Sequence, residues 1–225
     1  DEAAAAALVA EVVDVTKAPA EDDTTLREQQ AAVDLLAALG AKGKEGAATL
    51  MSRLDAGAVD PRFSLEVLEA AGVDRARILA AAAGGGGPVA GGDASRGRDL
   101  FLRKATVECV RCHRVAGEGG IVGPALDGVG LRHDRRGLLE SLLDPSAKLA
   151  DGYRTTVLVT DDGRTVAGIV KRESAEEIVV VTGDGREERI PVAAIEDRSE
   201  GASAMPADLA GRLTPRELRD LVEWL

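Results

Sequence analysis

Residues 1–83 are rich in Ala and Leu and read as helices, with apolar positions spaced by three and four from Val33 onward. A capping box, Thr25 with Glu28, precedes Val33, Leu35, Leu36 and Leu39, and Gly40 marks the stop. Ala47, Leu50, Met51 and Leu54 form a second stripe. Asp60–Pro61 reads as an N-cap with proline in the first turn, ahead of Val67, Leu68 and Ala71, with Gly72 as the stop. A short helix is predicted over 74–83. The run GGGGPVAGG, Gly84 to Gly92, is a linker by composition. Helices then follow at Arg96–Lys104 and near Arg136–Leu143. The period changes to that of short β-branched strands at Thr155–Thr160, Thr165–Lys171, Glu177–Thr182 and Glu187–Pro191, with Asp-Gly turns at 161–163 and 183–185. Thr214-Pro215-Arg216-Glu217 opens a last helix. Its stripe is Leu218, Leu221, Val222 and Leu225, and Trp224 lies just beside it.

The expected fold is mainly α with an inserted small antiparallel β-barrel. Its parts are a helical segment 1–83, a linker 84–95, one domain from 96–150 and 199–225, and the insertion 151–198.

Composition narrows the function. The aromatic residues are Phe63, Phe101, Tyr153 and Trp224, so the core is built from Leu, Val, Ile and Ala unless a non-protein group fills part of it. The net charge of −11 argues against binding nucleic acid, which needs Lys and Arg to neutralise phosphates, and against anionic membranes. The charge is uneven: residues 1–95 carry −8, residues 96–150 carry +3 and residues 151–198 carry −4. No apolar run approaches the roughly 18 residues of a membrane span. The first residue is Asp1, as expected of a processed product or an excised piece, in which a signal peptide can be neither seen nor excluded.

The only two cysteines fall in Cys109-Val110-Arg111-Cys112-His113. On a helical turn the i, i+3 spacing puts both sulfurs on one side, where each can form a thioether to a vinyl group of one porphyrin, and His113 can offer its imidazole to the iron. CxxCH is the attachment signature of c-type haem. Three other chemistries use similar residues. A thioredoxin-like redox pair needs a βαβ context that this sequence lacks. A zinc site would draw on Cys109, Cys112, His113 and His133, with two adjacent ligands. The pair could also be a plain reduced dithiol.

A low-spin electron-transfer haem takes a second axial ligand, Met or His. Met51 sits in a helical stripe with Leu50 and Leu54 and reads as core. Met205, in Ser203-Ala204-Met205-Pro206 before the last helix, is the expected ligand, and the alternative for it is a loop residue packed elsewhere. His133 competes from a charged stretch, Arg132 to Arg136. The long separation of His113 from Met205 is compatible with one haem fold if the inserted sheet brings its ends back together.

Residues Gly119 to Leu126 (GGIVGPAL) resemble the loop of class I cytochromes c. That resemblance implies that the Pro124 carbonyl orients the ring of His113, and that Gly97 and Phe101 belong to a first helix packed on the last one near Trp224. From Arg96 to Leu225 the chain is similar to the haem-binding domain of planctomycetes and verrucomicrobia. The matching pieces are Cys109–His113, Gly123–Leu126, Leu138 through Leu142-Leu143-Asp144-Pro145-Ser146, Gly152-Tyr153, Gly163-Arg164, Gly168, Ile190-Pro191 and Met205-Pro206.

In that family the domain ends a longer secreted chain, often after HEAT-like repeats and sometimes after a propeller dehydrogenase. Residues 34–54 weakly resemble a HEAT unit, against the plainer reading of a small helical bundle. The resemblance implies a monohaem, electron-transferring, periplasmic or otherwise exported module with one covalent haem c. Its partner is a redox protein or an upstream dehydrogenase domain. The chain itself then carries no catalytic residue. The alternatives are the electron-accepting part of a dehydrogenase, a scaffold held by a structural zinc or haem, and a gas sensor with a displaceable Met205. Arg98, Arg103, Arg111, Arg114 and Arg132 make either a basic docking rim or a solvated surface.

Overall fold

The computed structural model describes residues 2–17, 21–56, 58, 60–74, 76–80 and 90–225. Residues 75 and 81–83 of the expected fourth helical stretch and 84–89 of the expected linker lie outside them. The chain is mixed α/β and falls into two compact units: residues 1–97 with 214–224, and residues 98–213 with Leu225.

The first unit is helical, with α1 (Glu2–Val15), α2 (Asp23–Ala38), α3 (Gly40–Asp55) and α4 (Ser64–Ala70), a short helical stretch at 76–80, the start of α5 (Ala94–Arg103) and the final helix α8 (Pro215–Trp224). Except for Leu35, expected in the first of them but exposed because it falls on the solvent side of α2, the predicted stripes meet in one core. Val33, Leu36, Ala47, Leu50, Phe63 and Val67 are fully buried there, and Met51 and Leu54 pack against them, as expected of a core methionine. Thr25 is not the cap of α2. Asp22 is, and its carboxylate accepts the Thr25 N–H at 2.7 Å, so the helix starts earlier than the capping box implies. The box expected at Thr214 and Glu217 is present in both directions, at 2.9 and 3.2 Å.

Two polar contacts tie α8 into this unit. Arg219 and Glu66 form a fully buried pair at 2.7 Å, and Arg216 bonds Asp34 and Glu69. Burial pushes the Glu66 carboxyl above the usual range, against the pull of Arg219. One carboxylate oxygen of Glu66 and the Nε of Arg219 have no hydrogen-bond partner. A second set caps α5. Asp93 accepts from Ser95 and Arg96, and its own N–H donates to Asp220 at 2.7 Å. Between these contacts α5 crosses α8 at Gly97. A Cβ there would lie 2.0 Å from the Asp220 carbonyl and 2.8 Å from Cβ of Trp224, so only glycine permits the approach expected beside Trp224.

The second unit continues α5, then carries α6 (Cys109–Cys112), a hairpin β1 (Arg114–Val115) and β2 (Glu118–Gly119), and α7 (Arg135–Leu143), capped by Asp134. A five-stranded antiparallel sheet follows: β3 (Thr155–Thr160), β4 (Thr165–Glu173), β5 (Glu177–Thr182), β6 (Glu187–Pro191) and β7 (Ile195–Glu200), in the order β6-β5-β4-β3-β7.

The four predicted strands are all present. The fifth, IEDRSE, carries the sheet two residues past the expected boundary at 198. It has one apolar residue because it is an exposed edge, where no buried face demands alternation. β6 and β7 are opposite edges joined only by the 3₁₀ turn Val192–Ala194. Four strand spacings in a flat sheet come to about 19 Å, whereas a 3₁₀ link of this length covers roughly 8 Å. The sheet is therefore strongly curled. Register shifts at Val159/Thr160 and Val170/Arg172 supply the bends. Leu158, Val166, Ile178, Val180 and Ile190 fill its core.

The ends of the insertion return to one place. β3 and β7 pair, Thr156 faces Glu200, and the Gly201 N–H donates to the Thr155 carbonyl at 2.9 Å. Among the described residues no helix is long and apolar enough to cross a membrane.

Two outcomes are expected in unfolding experiments. Removing one member of the buried pair, Glu66→Ala, costs about 3–5 kcal/mol in urea unfolding because Arg219 is left charged in the interior. Replacing both, Glu66→Leu with Arg219→Met, restores most of that loss. The second outcome concerns acid. The Asp93 carboxyl is held near a pKa of about 2, first by the Ser95 hydroxyl. It therefore contributes stability above its ordinary pKa of 3.8 that is lost as the pH falls through 2. Asp93→Asn should remove about 2 kcal/mol at neutral pH and flatten the acid limb between pH 4 and 2.

Candidate functional site

The candidate site is the CxxCH turn and the glycine-rich loop that wraps it. α6 is a single helical turn, so Cys109 and Cys112 lie on the same side. Both are free thiols and half-buried. Burial pushes Cys109 up to about 11 and raises Cys112 as well, so both sulfurs stay protonated at neutral pH. The turn is entered through Glu108 at φ +46°, a left-handed conformation for a residue that has a Cβ. It leaves through His113, whose N–H donates to the Cys109 carbonyl. A second left-handed residue, Ala116 at φ +52°, forms the β1–β2 turn with Gly117. Its N–H donates to Asp127 at 2.8 Å. Strained backbone on both sides of a short motif persists only where the surroundings over-determine it.

Those surroundings are backbone hydrogen bonds. Gly120 donates to the Val110 carbonyl, Gly123 to Cys112 and Leu126 to Arg114, at 2.8–2.9 Å. Three successive points of the loop are thereby fastened onto the CxxCH segment. The approach is close: a Cβ on Gly120 would lie 1.8 Å from the Arg111 carbonyl.

The loop delivers the Pro124 carbonyl to within 2.9 Å of His113 Nδ1. A carbonyl only accepts, so Nδ1 carries the proton and Nε2 keeps its lone pair. Burial lowers the imidazole pKa against the opposing pull of Pro124, so the ring is neutral. Gly123 lies against the ring itself, where a Cβ would fall 2.6–3.0 Å from Cε1, Nδ1 and Nε2. A neutral, oriented imidazole with a free Nε2, next to two half-buried thiols on the preceding turn, fits a covalently tethered metal macrocycle.

The structure brings Cys109, Cys112, His113 and Pro124 together. Met205 lies half-buried in the loop between β7 and the 3₁₀ turn Leu209–Arg212. His133 is exposed. Among the described residues no three His, Cys, Asp or Glu side chains converge as a metal-holding group, so the four-residue zinc set is not assembled. Arg98, Arg103, Arg111, Arg114 and Arg132 are all exposed. Arg103 pairs with Asp99, Arg111 with Glu108, and Arg132 donates to the Asp127 carbonyl. Asp127 escaped the sequence reading, because nothing in its spacing shows that it receives the Ala116 N–H. No protein-family model matches the chain, and no curated protein matches it either.

Gly123→Ala tests the packing under the ring. The added methyl should displace the imidazole, at a cost of about 1–3 kcal/mol. A thermal melt reads the loss. The hydrogen-bonded imidazole N–H proton resonance should weaken or shift, and an unchanged resonance would show that the ring does not rest on Gly123.

Proposed function

We propose that the chain is a monohaem c-type cytochrome module that transfers electrons. Cys109 and Cys112 would tether the haem as thioethers, His113 and Met205 would ligate its iron, and Pro124 would orient His113. The observation that carries the reading is the 2.9 Å contact from His113 Nδ1 to the Pro124 carbonyl, one residue after a turn bearing both thiols. A haem c supplies a one-electron iron couple when bound.

The residues of the chain do the rest. The Pro124 carbonyl makes His113 a better donor through its hydrogen bond and keeps the ring from rotating. Ligation by the Met205 thioether would hold the potential above that of a bis-histidine pair. Val107, Val122, Leu138, Leu139, Leu142, Leu209 and Leu213 give the second unit buried apolar surface.

The finer fold belongs to the same reading. We take 96–150 with 199–225 as a class I cytochrome c-like domain, the curled sheet as a small barrel inserted into it, and the N-terminal helices as HEAT-like. The close crossing of α5 and α8 at Gly97 supports the first of these. Thioether attachment takes place outside the cytoplasm, so the module works in the periplasm or another exported setting. Its partner is a redox protein or a dehydrogenase domain, and the exposed Arg111 and Arg114, in and beside the motif, favour an acidic docking surface.

An absorption spectrum of protein made with c-type maturation machinery tests the reading. A sharp low-spin reduced spectrum that survives acid–acetone extraction is expected. Cys109→Ala with Cys112→Ala should lose the pigment to extraction. Met205→Ala should abolish the far-red band of the oxidised form. A colourless product, or pigment that extracts freely from the wild type, would overturn the proposal.

A further inference from the structure

The loop that carries Met205 is mostly exposed: Ala202, Ala204, Pro206, Ala207 and Asp208 all face solvent. Side-chain burial therefore does little to hold it. Hydrogen bonds from three directions hold it instead. At its start, Gly201 donates to Thr155 at the first strand of the sheet, and its Cα hydrogens face the Thr155 and Val157 side chains. In the middle, the Ser203 N–H donates to the Ser146 hydroxyl at 3.2 Å, across 57 residues of sequence. The Ser203 hydroxyl in turn accepts the Met205 N–H at 3.2 Å. At its end, Leu209 donates to the Pro206 carbonyl.

Ser146 is itself set by the turn after α7, where Asp144 accepts from Ser146 and Ala147. The segment Leu142-Leu143-Asp144-Pro145-Ser146 thus ends in an acceptor for the Met205 loop.

We propose that Ser203, supported by Ser146, is the positioning residue for Met205, and that the inserted sheet acts as the anchor from which this loop is hung. The two hydroxyls form a relay from the turn after α7 to the Met205 backbone. The β3–β7 pairing fixes where the loop departs. Together they present the methionine from one backbone position in a segment that has too little buried surface to hold it by packing. This inference rests on the reading of Met205 as sixth ligand.

The haem-loaded protein provides the test. The far-red band of the oxidised form is followed as the pH is raised, together with amide hydrogen exchange at Ser203 and Met205. In the wild type both amides should be protected from exchange. Ser203→Ala and Ser146→Ala each remove one acceptor. Each should lower the pH at which the band is lost by about half to one unit, the effect of one net hydrogen bond, and should speed exchange at the amide it leaves without a partner. Ser203→Thr keeps the acceptor and should restore wild-type behaviour.

Unprotected amides in the wild type would overturn the relay without any variant being needed. So would alanine variants with unchanged band midpoint and exchange, in a protein whose band Met205→Ala does abolish. A wild-type band that Met205→Ala leaves in place is a separate result: it removes the ligand assignment, and the positioning role with it.

Discussion

The arrangement of the second unit depends on backbone hydrogen bonds between residues 120–126 and residues 110–114. An imidazole on a two-bond side chain has freedom of rotation that burial alone does not remove. Orientation requires an acceptor at Nδ1, and the acceptor has to arrive on a rigid support. Pro124 lacks an N–H and has a fixed φ, and Gly123 just before it and Leu126 two residues after it bond back to Cys112 and Arg114. The loop and the CxxCH turn thus hold each other. The left-handed backbone at Glu108 and Ala116 is the local cost of that mutual fit, of order 1–3 kcal/mol per residue.

The helical unit solves a different problem. It has few aromatic residues, and Phe63 is the one in its core. Its cohesion comes from short aliphatic side chains, and to these it adds charge. The Glu66–Arg219 pair is fully buried, yet it makes one hydrogen bond while leaving one polar atom on each partner unmatched. Such a pair adds little net stability over a hydrophobic replacement of similar size, because desolvation offsets the attraction. What it supplies is selection. α8 can slide or rotate on α4 only by stranding a charge in the interior. The three-way contact of Arg216 with Asp34 and Glu69 reinforces that one registry.

Much of this was legible in the sequence, and what was missed has physical reasons. Periodicity located most of the helices after residue 23 and four strands because each has a buried face, whereas the mostly exposed α1 was marked only by its alanine-rich composition. It missed β7, which has none. Glycine stops and proline starts set most boundaries, but Thr25 was mistaken for a cap because its hydroxyl and Glu28 match the pattern, while Asp22 is the stronger acceptor. The grouping of Cys109, Cys112 and His113 could be read from spacing alone, since those residues are adjacent. The Asp127 contact and the Ser146–Ser203 link could not, because they join residues whose proximity exists only after folding.

The same distinction explains how a sheet can be inserted into the second unit without disrupting it. What matters to the surrounding unit is the distance between the two ends of an insertion, not its length, since loop entropy grows only slowly with the number of residues. Pairing β3 with β7 makes that distance one strand spacing, so the sheet imposes little on its host. Its own edges are protected by charge: β7 presents Glu196, Asp197, Arg198 and Glu200, and β6 presents Glu187, Glu188 and Arg189. A curled, self-contained sheet with charged edges and adjoining ends is stable locally and inert towards strand addition. It leaves one mechanical consequence for its host, which is that the chain leaving Glu200 starts from a fixed point. An exposed loop begun from a fixed point needs only one or two further hydrogen bonds to be held in place.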